Sequence, residues 1–174
     1  SSQWGFSWTD MAANVIGTAT LVSQELAWNE QRFTIKYSFH QTKYSRFRPD
    51  LLGSSIAENF LKDYNGLTYW LSVNPRSFMS GQSSLPKWLS FAIGYGAEGM
   101  LGGIANPTEV KGEVMPEYLR FRQYYLGLDI DLSRLTTSSL LLNKIFRVLN
   151  CIRLPAPAVE FNNGGKTKFY ALYF

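Results

Sequence analysis

Two segments of the chain alternate strictly between apolar and polar side chains, and this alternation constrains the fold more than any other feature. Residues 88–100 set large apolar side chains against small or polar ones. Residues 32–40 do the same, with all rings and aliphatic chains on one parity: Phe33, Ile35, Tyr37 and Phe39. A period of two is typical of a β-strand with two different faces. The sequence therefore predicts an antiparallel, β-rich protein.

Further strands are predicted at residues 67–73, at residues 118–132 and on both sides of Gly164-Gly165. In residues 118–132 the phase of the alternation slips near Arg122, which predicts a bulge there. Residues 101–116 hold three glycines and two prolines and are expected to form a long loop. Helical spacing appears in three segments, which we predict as helices: residues 7–31, 54–64 and 136–151.

The first predicted helix has unusually small side chains. Ser7 or Thr9 can cap it, and Asp10 lies in its first turn, where negative charge meets the helix dipole. Small residues let another backbone approach closely, so we expect tight packing against a partner element. Its apolar stretch is too short to cross a bilayer, which leaves β-structure as the route for any membrane insertion.

The composition is consistent with a protein that contacts a membrane. Hydrophobic residues make up 45% of the chain, aromatic residues 16% and charged residues 17%, against about 25% charged residues in ordinary soluble domains. Rings with polar tips suit a membrane–water boundary. The net charge is +4, but the basic residues are scattered, and nucleic-acid binding favours a clustered stripe. The single cysteine, Cys151, excludes an internal disulfide.

These observations predict an α+β fold in one domain spanning residues 1–174, helical over 1–31 and mainly antiparallel strands over 32–174. We expect an outer-membrane, barrel-like sheet with the N-terminal small-residue helix and one or two further helices. The chain ends on alternating Tyr170, Leu172 and Phe174, a pattern that resembles the recognition signal of outer-membrane β-barrels. The last strand of a soluble sheet can look the same, because aromatic residues favour strands generally.

Candidate chemistry is sparse. Asp10 and Asn14, four residues apart on one helix face, are the catalytic candidates. A capping role for Asp10 and an interhelical hydrogen bond from Asn14 are the explanation that their positions favour. Glu98, Asp129 and Asp131 are candidates to line a polar lumen, and they would form a carboxylate cluster if their two strands pair.

Several kinds of site are not expected. One histidine, His40, and one cysteine far apart in sequence cannot supply a zinc site. The glycines of residues 94–103 fit neither the dinucleotide fingerprint nor the P-loop. We therefore expect no cofactor, no dinucleotide and no nucleic acid as a partner.

Five blocks of the sequence look like the C-terminal part of one family. They are WGFSWTDMAANVIGTATLVSQELAWNEQ, LKDYNGLTYWLSVNP, LPKWLSFAIGYGAEGMLGG, YLRFRQYYLGLDIDL and LPAPAVEF. They resemble the YfiM-like family, a domain of unknown function (number 2279), in its long Bacteroidetes form. The resemblance implies a bacterial cell-envelope protein whose N-terminal region, with an Asp-Lys-x-x-His-type motif, precedes this chain. Asp10, Asn14 and Gly17 match that family, and their spacing is also similar to the VanZ-like membrane family.

Three functions follow as hypotheses. The first is a non-enzymatic envelope protein, in the outer membrane or on its periplasmic face, with lipid or other envelope proteins as partners. It predicts exposed side chains at six positions: Phe33, Ile35, Phe91, Tyr95, Leu126 and Leu128. The second is a membrane-embedded enzyme acting on lipid or glycan through Asp10 and Asn14. The third is a soluble binding module, which requires the aromatic faces to turn inward.

Overall fold

The computed structural model describes residues 8–79 and 83–174, without the side chains of Thr9, Asp10 and Ala13. The proposed caps Ser7 and Thr9 therefore lie outside the description. Contacts divide the chain into two compact units, one reaching Phe33 and one from Thr34 to Phe174.

The first unit holds the predicted N-terminal helix, α1 (Trp8–Trp28). It ends at Asn29, which has a φ of 53° and donates its backbone N–H to the Glu25 carbonyl; asparagine tolerates this left-handed conformation. The buried side chain of Gln24 then accepts the backbone N–H groups of Arg32 and Phe33 at 2.8 and 2.7 Å. One glutamine therefore fixes the direction in which the chain leaves the helix.

The second unit is built on a six-stranded antiparallel sheet with the order β1-β2-β3-β6-β7-β8, and β4 and β5 form a separate small hairpin. The strands are β1 (Phe33–Phe39), β2 (Leu67–Val73), β3 (Leu89–Glu98), β4 (Glu109–Val110), β5 (Glu113–Val114), β6 (Phe121–Ile130), β7 (Ala156–Asn162) and β8 (Thr167–Tyr173). The α+β class and the six main strands are confirmed. The β4–β5 hairpin was not predicted, because its two-residue strands are too short to show alternation.

Three α-helices follow α1 in the described chain, more than the one or two predicted: α2 (Pro49–Leu52), α3 (Ile56–Lys62) and α4 (Leu140–Leu149). The single-turn α2 begins at a proline, which suits a first helical turn but shows no periodicity. Ser55 caps α3 and Ser139 caps α4 through their side-chain oxygens. None of the helices in the described residues combines the length and apolar character that a membrane crossing requires.

The predicted bulge at Arg122 is wrong. β3 and β6 pair without interruption from Leu89–Ile130 to Glu98–Phe121, and Arg122 lies opposite Ala97. Of the two residues that suggested a phase slip, Leu119 precedes β6, and Phe121 is the first residue of the ladder, paired with Glu98 without a bulge. A register shift occurs instead between β7 and β8, beside Ala156 and Ala158.

The sheet is strongly curved. The hydroxyls of Thr68 on β2 and Tyr173 on β8 are 2.9 Å apart, although four strand spacings, about 19 Å in a flat sheet, separate these strands. Their shared face is therefore concave.

The outermost strands β1 and β8 do not pair with each other in the described chain, so these strands form no closed barrel. The edge of β1 is covered instead by residues 151–153. The backbone N–H of Tyr37 donates to the Cys151 carbonyl at 2.9 Å, and the Tyr37 carbonyl accepts from the backbone N–H of Arg153 at 2.8 Å. The Arg153 guanidinium in turn donates to the Tyr173 carbonyl at 3.0 Å. A short segment thus connects the two ends of the curved sheet.

Candidate functional site

The concave face is filled by rings and a guanidinium rather than by aliphatic side chains. Trp70 is 1% exposed and donates its indole N–H to Ser38 at 3.0 Å. The guanidinium carbon of Arg153 lies 3.9 Å from the centre of the Trp70 ring, a cation–π contact. Gly94 provides the room, because a Cβ atom there would lie 2.7 Å from the Trp70 ring.

A fully buried ion pair links β1 to β6. Lys36 Nζ lies 2.7 Å from Asp129 Oδ2, and both side chains are 0% exposed. The Ser72 hydroxyl donates to the same oxygen at 2.6 Å, and Lys36 also donates to the Ile130 carbonyl at 2.8 Å. Asp129 Oδ1 has no hydrogen-bond partner in the described part of the chain. A buried charge is tolerated only when it is paired in this way.

Tyrosine hydroxyls extend the polar network. Tyr173 donates to the Tyr125 hydroxyl at 2.9 Å, and Tyr170 donates to the carboxylate of the buried Glu160 at 2.8 Å. Burial raises the pKa of Tyr125 and Tyr170, with neighbouring groups adding to the shift. Both phenols therefore stay protonated and available as donors.

The convex face has the opposite character, and its exposed side chains form ordered rows across the strands. An aromatic row crosses four strands near one end of the sheet: Tyr69, Tyr95, Tyr124 and Phe161. A middle row follows: Leu71, Ile93, Leu126, Val159 and Phe169. A third row adds Val73, Phe91 and Leu128. An apolar groove of about 400 Å³ runs across the middle and third rows and ends beside Phe169.

The exposure predicted for this face is confirmed at five of six positions. Phe91 is 52% and Leu126 is 53% exposed, and Ile35, Tyr95 and Leu128 are exposed as well. Phe33 differs, being half-buried. The hypothesis of a soluble binding module required the aromatic faces to turn inward; the rings of Trp70 and Tyr125 are buried, and those of Tyr95 and Tyr124 are exposed.

Helix α4 also exposes its apolar residues. Leu140, Leu141 and Val148 are the most exposed of them, while Phe146 is half-buried and Asn150 is buried. The side of the helix that carries Asn143 and Phe146, rather than its leucine-rich stripe, therefore faces the protein.

The three carboxylates proposed for a polar lumen do not form a cluster. β3 and β6 do pair, but antiparallel pairing places Glu98 opposite Phe121 and Asp129 opposite Ser90, at opposite ends of the strands. Glu98 accepts from the Tyr44 hydroxyl and from Gln123, both at 3.1 Å. Asp131 binds Arg134 at 3.0 Å and caps the 3₁₀ turn Leu132–Arg134. In the described chain, no three His, Cys, Asp or Glu side chains are placed to hold a metal ion.

Of the two catalytic candidates, Asp10 and Asn14, only Asn14 has a described side chain. Asn14 is exposed on α1, and the Asp10 side chain lies outside the described residues. His40 lies at the rim of the concave face, where its ring centre is 6.1 Å from that of Tyr173. Partial burial lowers its pKa, while the carboxylates of Glu98, Asp63 and Glu160 act in the opposite direction.

Sequence reasoning missed the groups that fill the concave face. The alternation of residues 32–40 puts Lys36 on the polar face of β1, and this was the only local sign that Lys36 lies on the concave side. Nothing local marked Arg153, which lies in the connection after α4, or Trp70, whose neighbours Leu67 and Leu71 suggest an ordinary strand.

Comparisons with protein-family models, with curated proteins and with solved structures found no match to this chain.

Proposed function

We propose that this chain is a bacterial cell-envelope protein whose sheet lies in the outer membrane, with its convex face against lipid. The observation that carries the proposal is the inverted distribution of side chains. The ion pair Lys36–Asp129 is buried, and the aliphatic and aromatic rows are exposed. Exposed apolar patches of this extent mark a surface that meets something other than water.

The dimensions of the sheet support a bilayer as the partner. β3 and β6 are ten residues long, within the about 9–11 residues of a membrane-spanning strand. The aromatic row stands at one end of the exposed face, and the aliphatic residues lie nearer the middle of the strands. In membrane proteins aromatic side chains are likewise enriched at the membrane interface and aliphatic side chains at the bilayer centre. The apolar groove beside Phe169 is lined by side chains suited to an acyl chain.

A barrel-like wall is the form in which we propose this sheet is used. Lipid cannot hydrogen-bond an open strand edge, so membrane-spanning sheets need covered edges. The strong curvature and the coverage of β1 by residues 151–153 fit that requirement, while at the edge of β8 Arg153 binds the Tyr173 carbonyl.

Helix α4 fits the boundary of the same membrane. Its outward apolar side chains include Leu141 and Val148, and the charged side chains of Lys144 and Arg147 are exposed on the adjoining side of the helix. Amphipathic helices of this kind lie in the interface with the apolar side towards the acyl chains.

A structural or assembly role is the activity we propose. Most polar groups of the concave face hydrogen-bond to one another and pack against Trp70, which is the arrangement of a stabilising network. We further propose that the chain is related to the YfiM-like family, which agrees with an envelope location.

Spin labels on the full-length protein in carbonate-washed outer membranes test the proposal. With Cys151 replaced by serine, labels at positions 93 and 126 are expected to be accessible to oxygen, which concentrates in bilayers. A matched label at position 163, in the β7–β8 hairpin, is expected to react with a water-soluble nickel chelate. Nickel access at position 126, or release of the protein by carbonate, contradicts the proposal.

A further inference from the structure

A recess lies beside the aromatic row, at the end of the sheet where β2 begins and β3 ends. Its volume is about 260 Å³, and it is lined chiefly by Tyr64, Leu67, Tyr69, Tyr95, Met100 and Arg122. Pairing explains its position, because Arg122 lies opposite Ala97, two residues beyond the Tyr95–Tyr124 pair. The recess therefore combines an apolar wall with a cation just past the rings.

Arg122 lines the recess, and a second arginine, Arg120, contacts two of the lining residues, Met100 and Gly103. Neither arginine has a carboxylate partner in the described chain. Arg122 is exposed, and its guanidinium touches Met100 Sδ at 3.9 Å. Arg120 donates one nitrogen to the Gly103 carbonyl at 2.8 Å and contacts Met100 Sδ at 3.6 Å. Its other terminal nitrogen, Nη1, is buried without a hydrogen-bond partner among the described residues.

Tyr64 contributes a second buried group without a partner. Its hydroxyl is buried and has no hydrogen-bond partner in the part of the chain that is described. Burial raises the pKa of Tyr64, and the nearby Arg120 and Arg48 act in the opposite direction. A buried donor left unpaired is destabilising, so an acceptor that reached the Tyr64 hydroxyl or Arg120 Nη1 would be favoured.

Phosphate is the acceptor that suits these donors. It carries several oxygens and negative charge, and arginine binds it through two parallel N–H groups. Tyrosine rings at a membrane interface stand at the level of the lipid headgroups. The side chains of Tyr69 and Leu71 continue from the recess along the convex face, where an acyl chain would lie.

We propose that this recess binds the phosphate of a membrane phospholipid, with Arg122, Arg120 and Tyr64 as donors. The proposal rests on the membrane location proposed above and names the lipid group that the same surface recognises.

Native mass spectrometry of the full-length protein in a maltoside detergent tests it, since that detergent has no phosphate. Dimyristoylphosphatidylglycerol is the probe, and dimyristoylglycerol is the phosphate-free comparison. Arg122→Gln is expected to weaken phosphatidylglycerol binding about tenfold, the loss of roughly one charge-assisted hydrogen bond. Arg122→Lys keeps the positive charge but not the two parallel N–H donors of the guanidinium, and it is expected to weaken phosphatidylglycerol binding less than Arg122→Gln does. Lys87→Gln, which removes an exposed cation at the opposite end of β3 from the recess, is the matched control and is expected to change nothing.

Three outcomes overturn the inference: equal binding of dimyristoylglycerol, unchanged binding by a folded Arg122→Gln protein, or displacement by inorganic phosphate at the same concentration as lipid. The last identifies a free-anion site. Failure here together with lipid exposure at position 126 rejects the recess alone. Nickel access at position 126 rejects the membrane location whatever this assay gives.

Discussion

The two faces of the curved sheet share one backbone ladder and differ in almost every other respect. On the concave face the buried groups are Lys36, Asp129 and Trp70, each held by a named partner. On the convex face Ile93 and Leu126 lie side by side and exposed. A sheet in water usually shows the reverse, with its apolar face covered by protein. This distribution of side chains is what the proposed membrane location predicts, because the solvent outside the convex face would then be hydrocarbon.

The concave face depends on pairing, so breaking a pair has the largest expected effect. Lys36→Met leaves the Asp129 carboxylate buried without its cation and is expected to lower the free energy of unfolding by about 3–5 kcal/mol. Urea unfolding in detergent micelles measures the change. Lys166→Met, at the exposed β7–β8 hairpin, is the control and should stay within about 0.5 kcal/mol.

Adding Asp129→Leu to Lys36→Met sharpens this result, because removal of both charges leaves no unpaired ion. We expect the double variant to recover part of the stability. A single variant no less stable than Lys166→Met would show that the pair does not support the fold.

On the convex face, the destabilisation caused by an introduced charge should depend on how deep in the bilayer the substituted position lies. Leu126→Arg places a cation in the middle row and is expected to cost about 2–4 kcal/mol in lipid vesicles, against about 0–1 kcal/mol for Phe161→Arg in the aromatic row. Urea unfolding from vesicles of phosphatidylcholine gives both values. Equal costs at the two positions would remove the argument for a membrane-facing surface.

Packing on the concave face is the next comparison. Gly94→Ala places a Cβ 2.7 Å from the Trp70 ring, and such overpacking costs about 1–3 kcal/mol. Near-ultraviolet circular dichroism should record the displaced indole. Gly103→Ala is the matched control, because nothing lies within 4 Å of its added Cβ. An unchanged Trp70 signal in Gly94→Ala would contradict the close contact.

The smallest expected effect is a pH dependence at the rim between the two faces. Partial burial holds the pKa of His40 below its ordinary value of 6.5, so the unfolded chain binds a proton more readily. Stability is therefore complete above pH 6.5 and falls as the pH drops from there towards the folded-state pKa. His40→Gln should flatten this slope between pH 8 and pH 5 in urea unfolding. A parallel slope in the variant would assign the effect to other groups.

Local patterns predicted most of the elements because each pattern is complete within a few residues. Residues 67–73 were predicted as a strand and form β2, and the alternation of residues 88–100 places Phe91, Ile93 and Tyr95 on one face, as observed. The error at Arg122 has the same origin: the pattern was extended to Leu119, and only the β3 partner shows where the ladder begins.

The candidate site was less predictable because its members are distant in sequence. Lys36 and Asp129 are 93 residues apart, and which carboxylate meets the lysine depends on strand order and register. Grouping Glu98 with Asp129 failed for the same reason, since antiparallel pairing separates residues that a strand-by-strand view leaves together.

The sequence by itself determined that this chain forms strands with one apolar and one polar face, because side chains alternate along every extended backbone. Only the tertiary structure decided that the polar face is the covered one. That outcome requires the curvature that brings Tyr173 to Thr68 and the placement of Arg153 over Trp70. Both are long-range contacts, whose geometry depends on the whole sheet and not on any local run of residues.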